Sequence, residues 1–271
     1  MRIILLPLMA LFAGSLQAQE LYVFTEPASN MPARSVSIKQ SAKWLRNPLL
    51  SRTESRHTTE LMFGLNRNLM IHAATTFSDM YSTSQRWESV RTYAKYRFYT
   101  SDEMYSHFRL AAFAEAAYSR NKSPYDELGL EGDQSGVQFG VIATQLLHKL
   151  AISTTVSLTE SLQSGRNDKS AANTVPYEAI NYSLSAGYLV LPKKYTSYGQ
   201  TNLNLYLELL GQSSLDKKRY ATDLAPAVQL IFNSTVKANL GYRFQLAGNM
   251  NRMADRSWLL GVEWTFLNAL K

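Results

Sequence analysis

Apolar and polar side chains alternate strictly along most of the chain after its first twenty residues. The clearest example is VKANLGYRFQL, residues 236–246, in which every second side chain from Val236 onward is apolar. Because successive side chains of a β-strand point to opposite faces, such a segment has one apolar face and one polar face. Repeated along an exported chain, the pattern predicts a β-barrel in an outer membrane, with lipid outside and a polar lumen inside.

The alternation predicts an all-β, antiparallel, up-and-down transmembrane barrel of about twelve strands. The strands are expected at roughly 34–45, 57–65, 69–78, 87–100, 106–119, 134–147, 149–162, 178–191, 200–212, 224–233, 235–247 and 256–267. Such boundaries carry errors of a few residues.

The connections between these strands fall into two classes that are expected to alternate. The short ones are 67–68, 101–105, 148, 192–197 and 233–234, and the long ones are 47–56, 79–85, 121–133, 165–176, 215–222 and 250–255. Outer-membrane barrels have even strand numbers, short periplasmic turns and longer outer loops. The sequence therefore predicts both termini in the periplasm.

The N-terminal residues do not share the alternation. Residues 1–18 have one basic residue, an apolar run over 3–12 and a small residue, Ala18, at the end, which is typical of a secretory signal peptide. The apolar run is shorter than the roughly 18 residues that a spanning helix needs. Residues 19–33 contain two prolines and are predicted to be an irregular periplasmic lead-in, of which 24–33 is expected to help close the barrel mouth. Residues 34–271 are assigned to the barrel.

Composition excludes some classes of partner and of stabilising bond. The chain has no cysteine, so neither disulfides nor a lipid anchor on an N-terminal cysteine is available. Its formal net charge is +7, but the basic residues stand singly on alternating positions and form no contiguous patch. Nucleic-acid binding is therefore not expected.

Charged side chains stand opposite the apolar rows, where a barrel directs them into its lumen. The expected lumen cations are Lys39, Lys43, Arg91, Lys95, Arg97, Arg109, Lys237 and Arg243, and the expected lumen carboxylates are Glu60, Glu115, Glu208 and Glu263. Each carboxylate is expected to pair with a nearby Lys or Arg, with Arg91–Glu115 and Arg243–Glu263 as the predicted cross-strand pairs. The excess of cations predicts a basic lumen.

A soluble up-and-down barrel, as in lipocalins, is the main structural alternative, because it carries the same alternation with its apolar face inside. Small soluble barrels close with about eight strands. Twelve strands leave an interior too wide for the available apolar side chains to fill. No charge interrupts the apolar rows except near their ends, and an Arg or Lys at mid-bilayer costs about 2 to 4 kcal/mol there. Both observations favour the membrane barrel.

The last predicted strand carries a terminal motif. In LLGVEWTF, residues 259–266, Gly261 is followed at three and five positions by Trp264 and Phe266. This resembles the C-terminal insertion signal of outer-membrane barrels, although residues 267–271 extend past the aromatic. The layout of about 34–267 is similar to that of single-domain outer-membrane barrels of Gram-negative bacteria, including the Bacteroidota type. The resemblance implies outer-membrane lipid and the barrel-assembly machinery as partners, and it implies no substrate.

Catalytic chemistry has no positive motif in this sequence. The twelve-stranded outer-membrane phospholipases need a serine nucleophile and a histidine near the outer leaflet. Of the four histidines only His57 is predicted near an outer loop, beside Ser51, Ser55 and Thr58. An ordinary loop histidine is the simpler interpretation, and we expect no enzyme activity and no cofactor.

A soft metal site is a further alternative. Met70 and His72 share the lumen face, and Met62 is expected to face them from the neighbouring strand. Thioether and imidazole ligands suit copper. Methionine in a tight lumen is more often packing, so no metal is predicted.

Two functions remain open beside the lipid enzyme. The first is a porin-like channel or transporter that admits small polar or anionic solutes through a basic lumen. The second is a closed barrel that only anchors surface loops for binding a partner. The loop 121–133 carries Asp126, Glu127, Glu131 and Asp133, an acidic cluster unlike the predicted lumen.

Overall fold

A computed structural model describes residues 22–47, 52–162, 176–194, 199–215 and 218–270. The predicted signal peptide and nearly all of the predicted loop 165–176 lie outside these residues. Within them, twelve strands form the fold. They are β1 (Ser35–Asn47), β2 (Arg52–Gly64), β3 (Leu69–Ser78), β4 (Arg86–Asp102), β5 (Ser106–Ser119), β6 (Gly136–Leu147), β7 (Leu150–Ser161), β8 (Glu178–Leu191), β9 (Asn202–Ser214), β10 (Tyr220–Phe232), β11 (Val236–Gly248) and β12 (Arg256–Phe266).

Each strand pairs antiparallel with its neighbours in sequence, and β1 pairs with β12 to close the barrel. The register across this seam runs from Val36 opposite Phe266 to Leu45 opposite Ser257. Closure leaves no free sheet edge, which is the condition for a sheet to lie in lipid. The described part of the chain contains no helix of the length and apolarity needed to cross a bilayer.

The outer surface of the barrel is apolar, as the alternation predicts. Large apolar side chains stay exposed on every strand; they include Ile38, Leu61, Ile71, Phe98, Tyr118, Val141, Val156, Leu184, Leu207, Val228, Leu240 and Trp264. Many of their neighbours in sequence are buried, and several of these are polar, among them Ser37, Glu60, Ser185 and Gln229. An exposed surface of this size and composition needs an apolar medium around it.

The predicted strands are confirmed, and β3, β5 and β8 have the predicted bounds. Two strands begin several residues earlier than expected, β2 at Arg52 and β10 at Tyr220. The extra residues include four charged ones, which is typical of a loop, but Glu54, Arg56 and Asp223 are buried on the lumen side. A charged residue can belong to a strand when its side chain faces a polar lumen. The charged composition therefore placed the predicted starts of β2 and β10 too late in the sequence.

The strict alternation of connection lengths is wrong in two places. The β1–β2 connection covers only 48–51, whereas the β8–β9 connection covers 192–201. The strand number is nevertheless even, so the first and last strands have their outer ends at the same end of the barrel. We call the barrel end that carries residues 22–35 and the end of β12 the terminal end, and the opposite end, with connections 79–85, 120–135 and 249–255, the loop end.

The N-terminal segment, defined as residues 22–33, lies inside the barrel at the terminal end. Tyr22 and Val23 pack in one cluster with Leu146, Ala151, Tyr206 and Ala227 from the wall. Ala28 packs in a second cluster with Tyr93, Ala111, Phe113 and Ile142. Phe24 lies against Gly241, where a Cβ would be 2.5 Å from its ring. These lumen positions are apolar because they contact the segment and not water.

The β5–β6 connection, residues 120–135, also lies inside the barrel, at the loop end. Leu128 and Leu130 are buried. The Leu128 N–H donates to Oε1 of Gln212 at 2.8 Å, and Nε2 of Gln212 donates back to the Leu128 carbonyl at 2.9 Å. Because Gln212 lies on β9, this pair of bonds holds the loop across the barrel mouth from β5 and β6. We call residues 120–135 the lumen loop.

Candidate functional site

A cavity of about 470 Å³ lies within the barrel between the N-terminal segment and the lumen loop. Its walls are the lumen faces of β1 to β9, β11 and β12. The side chains that reach it from the segment include Phe24 and Glu26, and those from the loop include Glu127 and Glu131. Its size is within the ordinary range of small-molecule pockets.

Glu208 anchors the first part of the N-terminal segment. Its Oε1 accepts the backbone N–H groups of Val23 and Phe24, both at 3.0 Å, and its Oε2 accepts the Thr25 hydroxyl at 2.7 Å. The Glu208 side chain is fully buried on β9. Buried carboxylates need such donors, because an unsatisfied buried charge is costly.

Lys95 anchors the second part of the segment as a hydrogen-bond donor, whereas Glu208 acts as an acceptor. Its Nζ donates to Glu26 Oε2 at 2.9 Å and to the carbonyl oxygens of Pro27 and Ser29 at 2.7 and 2.9 Å. Lys95 is fully buried, so its three protons are satisfied by this segment alone. Arg109 adds a bond from Nη1 to the Ser29 hydroxyl at 2.7 Å.

The lumen loop is bound through ion pairs with the barrel wall. Arg252 donates to Glu127 at 2.8 Å and to Asp223 at 2.7 Å, and Arg243 contacts the same two carboxylates. Asp126 pairs with Arg219 and accepts the Asn251 N–H at 2.7 Å. The acidic side chains of the loop thus meet basic side chains of β11 and of the β9–β10 and β11–β12 connections.

A second group of ion pairs joins the other half of the loop to β1 and β2. Arg56 donates to Asp133 at 2.7 Å and to Glu88 at 3.3 Å, and the Tyr81 hydroxyl donates to Asp133 at 2.9 Å. Glu131 lies 3.6 Å from Lys43 Nζ. Burial alone would raise the pKa of Glu131, but Lys43, Arg91 and Arg56 outweigh burial and lower that pKa to about 2.

The predicted lumen charges all lie on the inner face, but their partners differ from expectation in two cases. Arg91 pairs with Glu115 at 3.3 Å, as predicted. The predicted Arg243–Glu263 pair is wrong, because Lys237 stands directly opposite Glu263 and forms the ion pair, with Nζ 2.7 Å from Oε1. Glu208 was expected to pair with a cation and instead binds backbone N–H groups and hydroxyls.

The remaining predicted charges divide between the cavity and the terminal end. Lys39 reaches Glu60 at 3.9 Å and, like Lys43, lines the cavity. Arg97 donates to the Arg67 carbonyl at 2.7 Å, at the β2–β3 connection. Lys95, Arg97, Arg109 and Lys237 do not line the cavity.

Among the residues that the structure describes, charges of both signs line the cavity in equal numbers. The cations are Lys39, Lys43, Arg56, Arg91, Arg243, Arg252 and Arg256, and the carboxylates are Glu26, Glu60, Glu115, Glu127, Glu131, Asp133 and Asp255. Five of these carboxylates come from outside the strands. The predicted strand residues alone have an excess of cations. The carboxylates of the N-terminal segment and of the loops balance this excess in the cavity.

Sequence reasoning missed several of these residues. The sequence predicts Arg56 and Arg252 in long loops, Asp223 between the loop 215–222 and the strand 224–233, and Glu26 in the lead-in without a partner. The acidic cluster at 126–133 was noticed but was assigned to an external partner. The signal that would have placed it is charge complementarity, because a basic set of strand residues and an acidic loop in one chain can satisfy each other.

The residues considered for catalysis are not assembled. His57 points to the outer face of β2, between Ala42 and Phe77, while Thr58 faces the lumen and donates to Glu131. The Ser55 hydroxyl accepts a bond from Gln85 Nε2 at 2.7 Å. Within the described residues no hydrogen bond joins His57 to a serine, and Ser51 lies outside them.

The residues of the predicted insertion signal sit on both faces of β12. Trp264 and Phe266 point outward, with ring centroids 5.5 Å apart, and Gly261 faces the lumen. Their role in insertion stays a prediction.

No family model and no curated protein sequence matches the chain. Solved structures do match. The chain superimposes on the COG4313 outer membrane channel from Pseudomonas putida F1 with a TM-score of 0.59 and 13% identity, covering 90% of this chain and 100% of that one. The fold is that of an outer-membrane porin. The NanC porin gives a TM-score of 0.54 at 10% identity over 84% and 98%, and the KdgM porin 0.53 at 8% over 85% and 99%.

Proposed function

We propose that this chain is an outer-membrane channel for small polar solutes, narrowed from inside by the N-terminal segment and the lumen loop. The observation that carries the proposal is the cavity of about 470 Å³, lined by charged side chains of both signs, inside a closed twelve-strand barrel. A barrel that served only as an anchor has no need of such a space. The similarity in fold to porins supports a channel, and it does not name a solute.

Placement in the outer membrane follows from the apolar belt, with outer-membrane lipid as its partner and the barrel-assembly machinery as its route of insertion. We place the terminal end, and therefore both termini, in the periplasm, because the lumen loop and most longer connections lie at the opposite end. A signal peptide at 1–18 and a Bacteroidota origin stay predictions.

Weak ion selectivity follows from the charge balance of the cavity. A ring of one sign biases permeation, whereas equal numbers of cations and carboxylates favour neither anions nor cations. We therefore propose polar solutes that are neutral or carry both signs. The strand residues alone predict a preference for anions, and a measurement of ion selectivity distinguishes that outcome from weak selectivity.

A closed anchor is the alternative function, and a specific observation favours it. The N-terminal segment fills the terminal end, and each of the following predicted lumen cations is within ion-pair distance of a carboxylate: Lys39, Lys43, Arg91, Lys95, Arg109, Lys237 and Arg243. A non-conducting barrel is also expected to have paired charges in its lumen and chain segments that fill both of its ends.

Planar-bilayer recording separates these two functions. A channel gives steady single-channel steps, and the proposed charge balance gives a reversal potential near zero across a KCl gradient. A reversal potential close to the chloride limit shows the anion channel and overturns the solute class alone. Absence of steps from protein that migrates as a folded, heat-modifiable barrel overturns the channel and supports the anchor.

A further inference from the structure

Three methionines and one histidine converge on the lumen wall at the terminal end. Met62 on β2 stands directly opposite His72 on β3, and Met70 stands opposite Gly64 at the next inward-facing pair. Met62, Met70 and His72 are 6%, 3% and 3% exposed. Cross-strand partners on one face have Cβ atoms about 4.5 to 5.5 Å apart, so the three side chains share one small volume.

The N-terminal segment adds the third methionine. A Cβ placed on Gly64 would lie 2.8 Å from Cγ of Met31, so the Met31 side chain occupies the space that Gly64 leaves open. Gly64 is the cross-strand partner of Met70. The thioether of Met31 therefore enters the same volume from the lumen side, and the segment covers the group.

His72 is oriented as metal-binding histidines are. Its Nδ1 lies 2.9 Å from Glu60 Oε1, on the loop-end side of the ring. Because this contact occupies Nδ1, Nε2 is left for another partner, and Met62 is the residue directly opposite His72 on the neighbouring strand. Nε2 is buried and has no hydrogen-bond partner among the described residues. A carboxylate on one imidazole nitrogen fixes the tautomer that leaves a lone pair on the other.

A soft monovalent cation suits this donor set. Thioethers and an imidazole select Cu(I), whereas hard divalent cations prefer carboxylate and carbonyl oxygens. The nearest cationic side chain in the register, Lys95 opposite Met70, is neutralised by Glu26 at 2.9 Å. Nε2 of His72 is one of several buried polar atoms without a hydrogen-bond partner among the described residues, and it belongs to the residue that stands opposite Met62.

We propose that Met31, Met62, Met70 and His72 bind one Cu(I) ion beneath the N-terminal segment. The site adjoins the cavity, which His72 and Glu60 both line, and it does not depend on conduction. Glu60 is a positioning residue, because it touches His72 and not the ion.

Anaerobic titration of the detergent-solubilised, folded protein with Cu(I), against a chromogenic Cu(I) chelator, tests the proposal. We expect one Cu(I) per chain, with sulfur and nitrogen neighbours in its X-ray absorption spectrum. Met62→Leu keeps the side-chain volume, a change that cores tolerate, and His72→Gln removes the imidazole. Each is expected to weaken binding by more than the roughly 10- to 100-fold that loss of an outer partner causes.

Met80→Leu is the matched control. Met80 is also buried, but it lies at the loop end in the β3–β4 connection. It is expected to bind Cu(I) like the wild type. Heat-modifiable migration on gels shows that each variant keeps the folded barrel. A wild-type protein that retains no Cu(I), or folded Met62→Leu and His72→Gln proteins that bind it unchanged, would overturn the site.

Discussion

Two fully buried charges on the barrel wall, Glu208 and Lys95, bind the backbone of the N-terminal segment instead of each other. Glu208 accepts two N–H groups and a hydroxyl, and Lys95 donates to two carbonyl groups and to Glu26. Residue alternation places both in the lumen but does not identify their partners. The partner of Glu208 is a segment far away in sequence that has no periodic pattern of its own.

Replacing Lys95 with methionine is expected to release the N-terminal segment. The change keeps an unbranched side chain but removes three hydrogen bonds from a buried charge, of which each contributes about 1.5 to 3 kcal/mol. Hydrogen exchange at the Val23, Phe24 and Ala28 amides should accelerate, because these N–H groups bond to the wall only while the segment is docked.

Lys237→Met provides the matched control for this substitution. Lys237 is also a buried lumen lysine, but its 2.7 Å partner is Glu263 on the adjacent strand. The variant should exchange like the wild type at residues 22–33. Equal acceleration in both variants would mean that the segment responds to general loss of lumen charge, and Lys95 would not be its anchor.

At the scale of the element, the strands could be predicted from the sequence and the two internal segments could not. In a strand such as β5, each residue type indicates whether its side chain faces the apolar medium or the lumen, because successive side chains point to opposite faces. The lumen loop has no such period, and its position is set by contacts such as Arg252–Glu127, between residues distant in sequence. Charge at strand ends, as in Arg52–Arg56, resembles a loop unless its partners are known.

Adjacent leucines on β9 test the assignment of the two faces. Leu209 points outward with the apolar belt, whereas Leu210 lines the cavity. We expect Leu209→Arg to lower the free energy of unfolding by about 2 to 4 kcal/mol, because the charge enters lipid. Leu210→Arg, at nearly the same depth, should cost less because it meets water and polar groups. Urea unfolding in lipid vesicles measures both, and equal costs would contradict the orientation.

Acid should undock the lumen loop through Glu131. The pKa of Glu131 is lowered to about 2, below its ordinary value of about 4.3, so its ionised form stabilises docking. That contribution is complete above about pH 4.3 and is lost as the pH falls through 2. Exchange of the Leu128 amide, which bonds to Gln212, should therefore rise on acidification below about pH 4.

Glu131→Gln separates this effect from titration of other carboxylates. Without the ionisable group, the variant should exchange faster than the wild type at pH 7, and the difference should vanish toward pH 2. A difference that is constant over this range would show that Glu131 does not contribute through its charge.

At the scale of the molecule, the barrel is a closed wall that is narrowed from both ends by its own chain. The wall, its strand number and the inner face of the charges could be predicted, because each follows from local alternation. The charge balance could not, since Glu26, Glu127, Glu131, Asp133 and Asp255 reach the cavity from outside the strands. The strands alone predict a basic lumen, but the described residues that line the cavity carry positive and negative charges in equal numbers.

Single-channel conductance of the wild type and of Lys95→Met, recorded in the same bilayer and salt, measures whether the N-terminal segment narrows a solute pathway. We expect small, steady steps from the wild type and larger steps from the variant, with Lys237→Met unchanged from the wild type. Equal conductance in the wild type and Lys95→Met, or no conductance in either folded protein, would contradict a channel narrowed by residues 22–33.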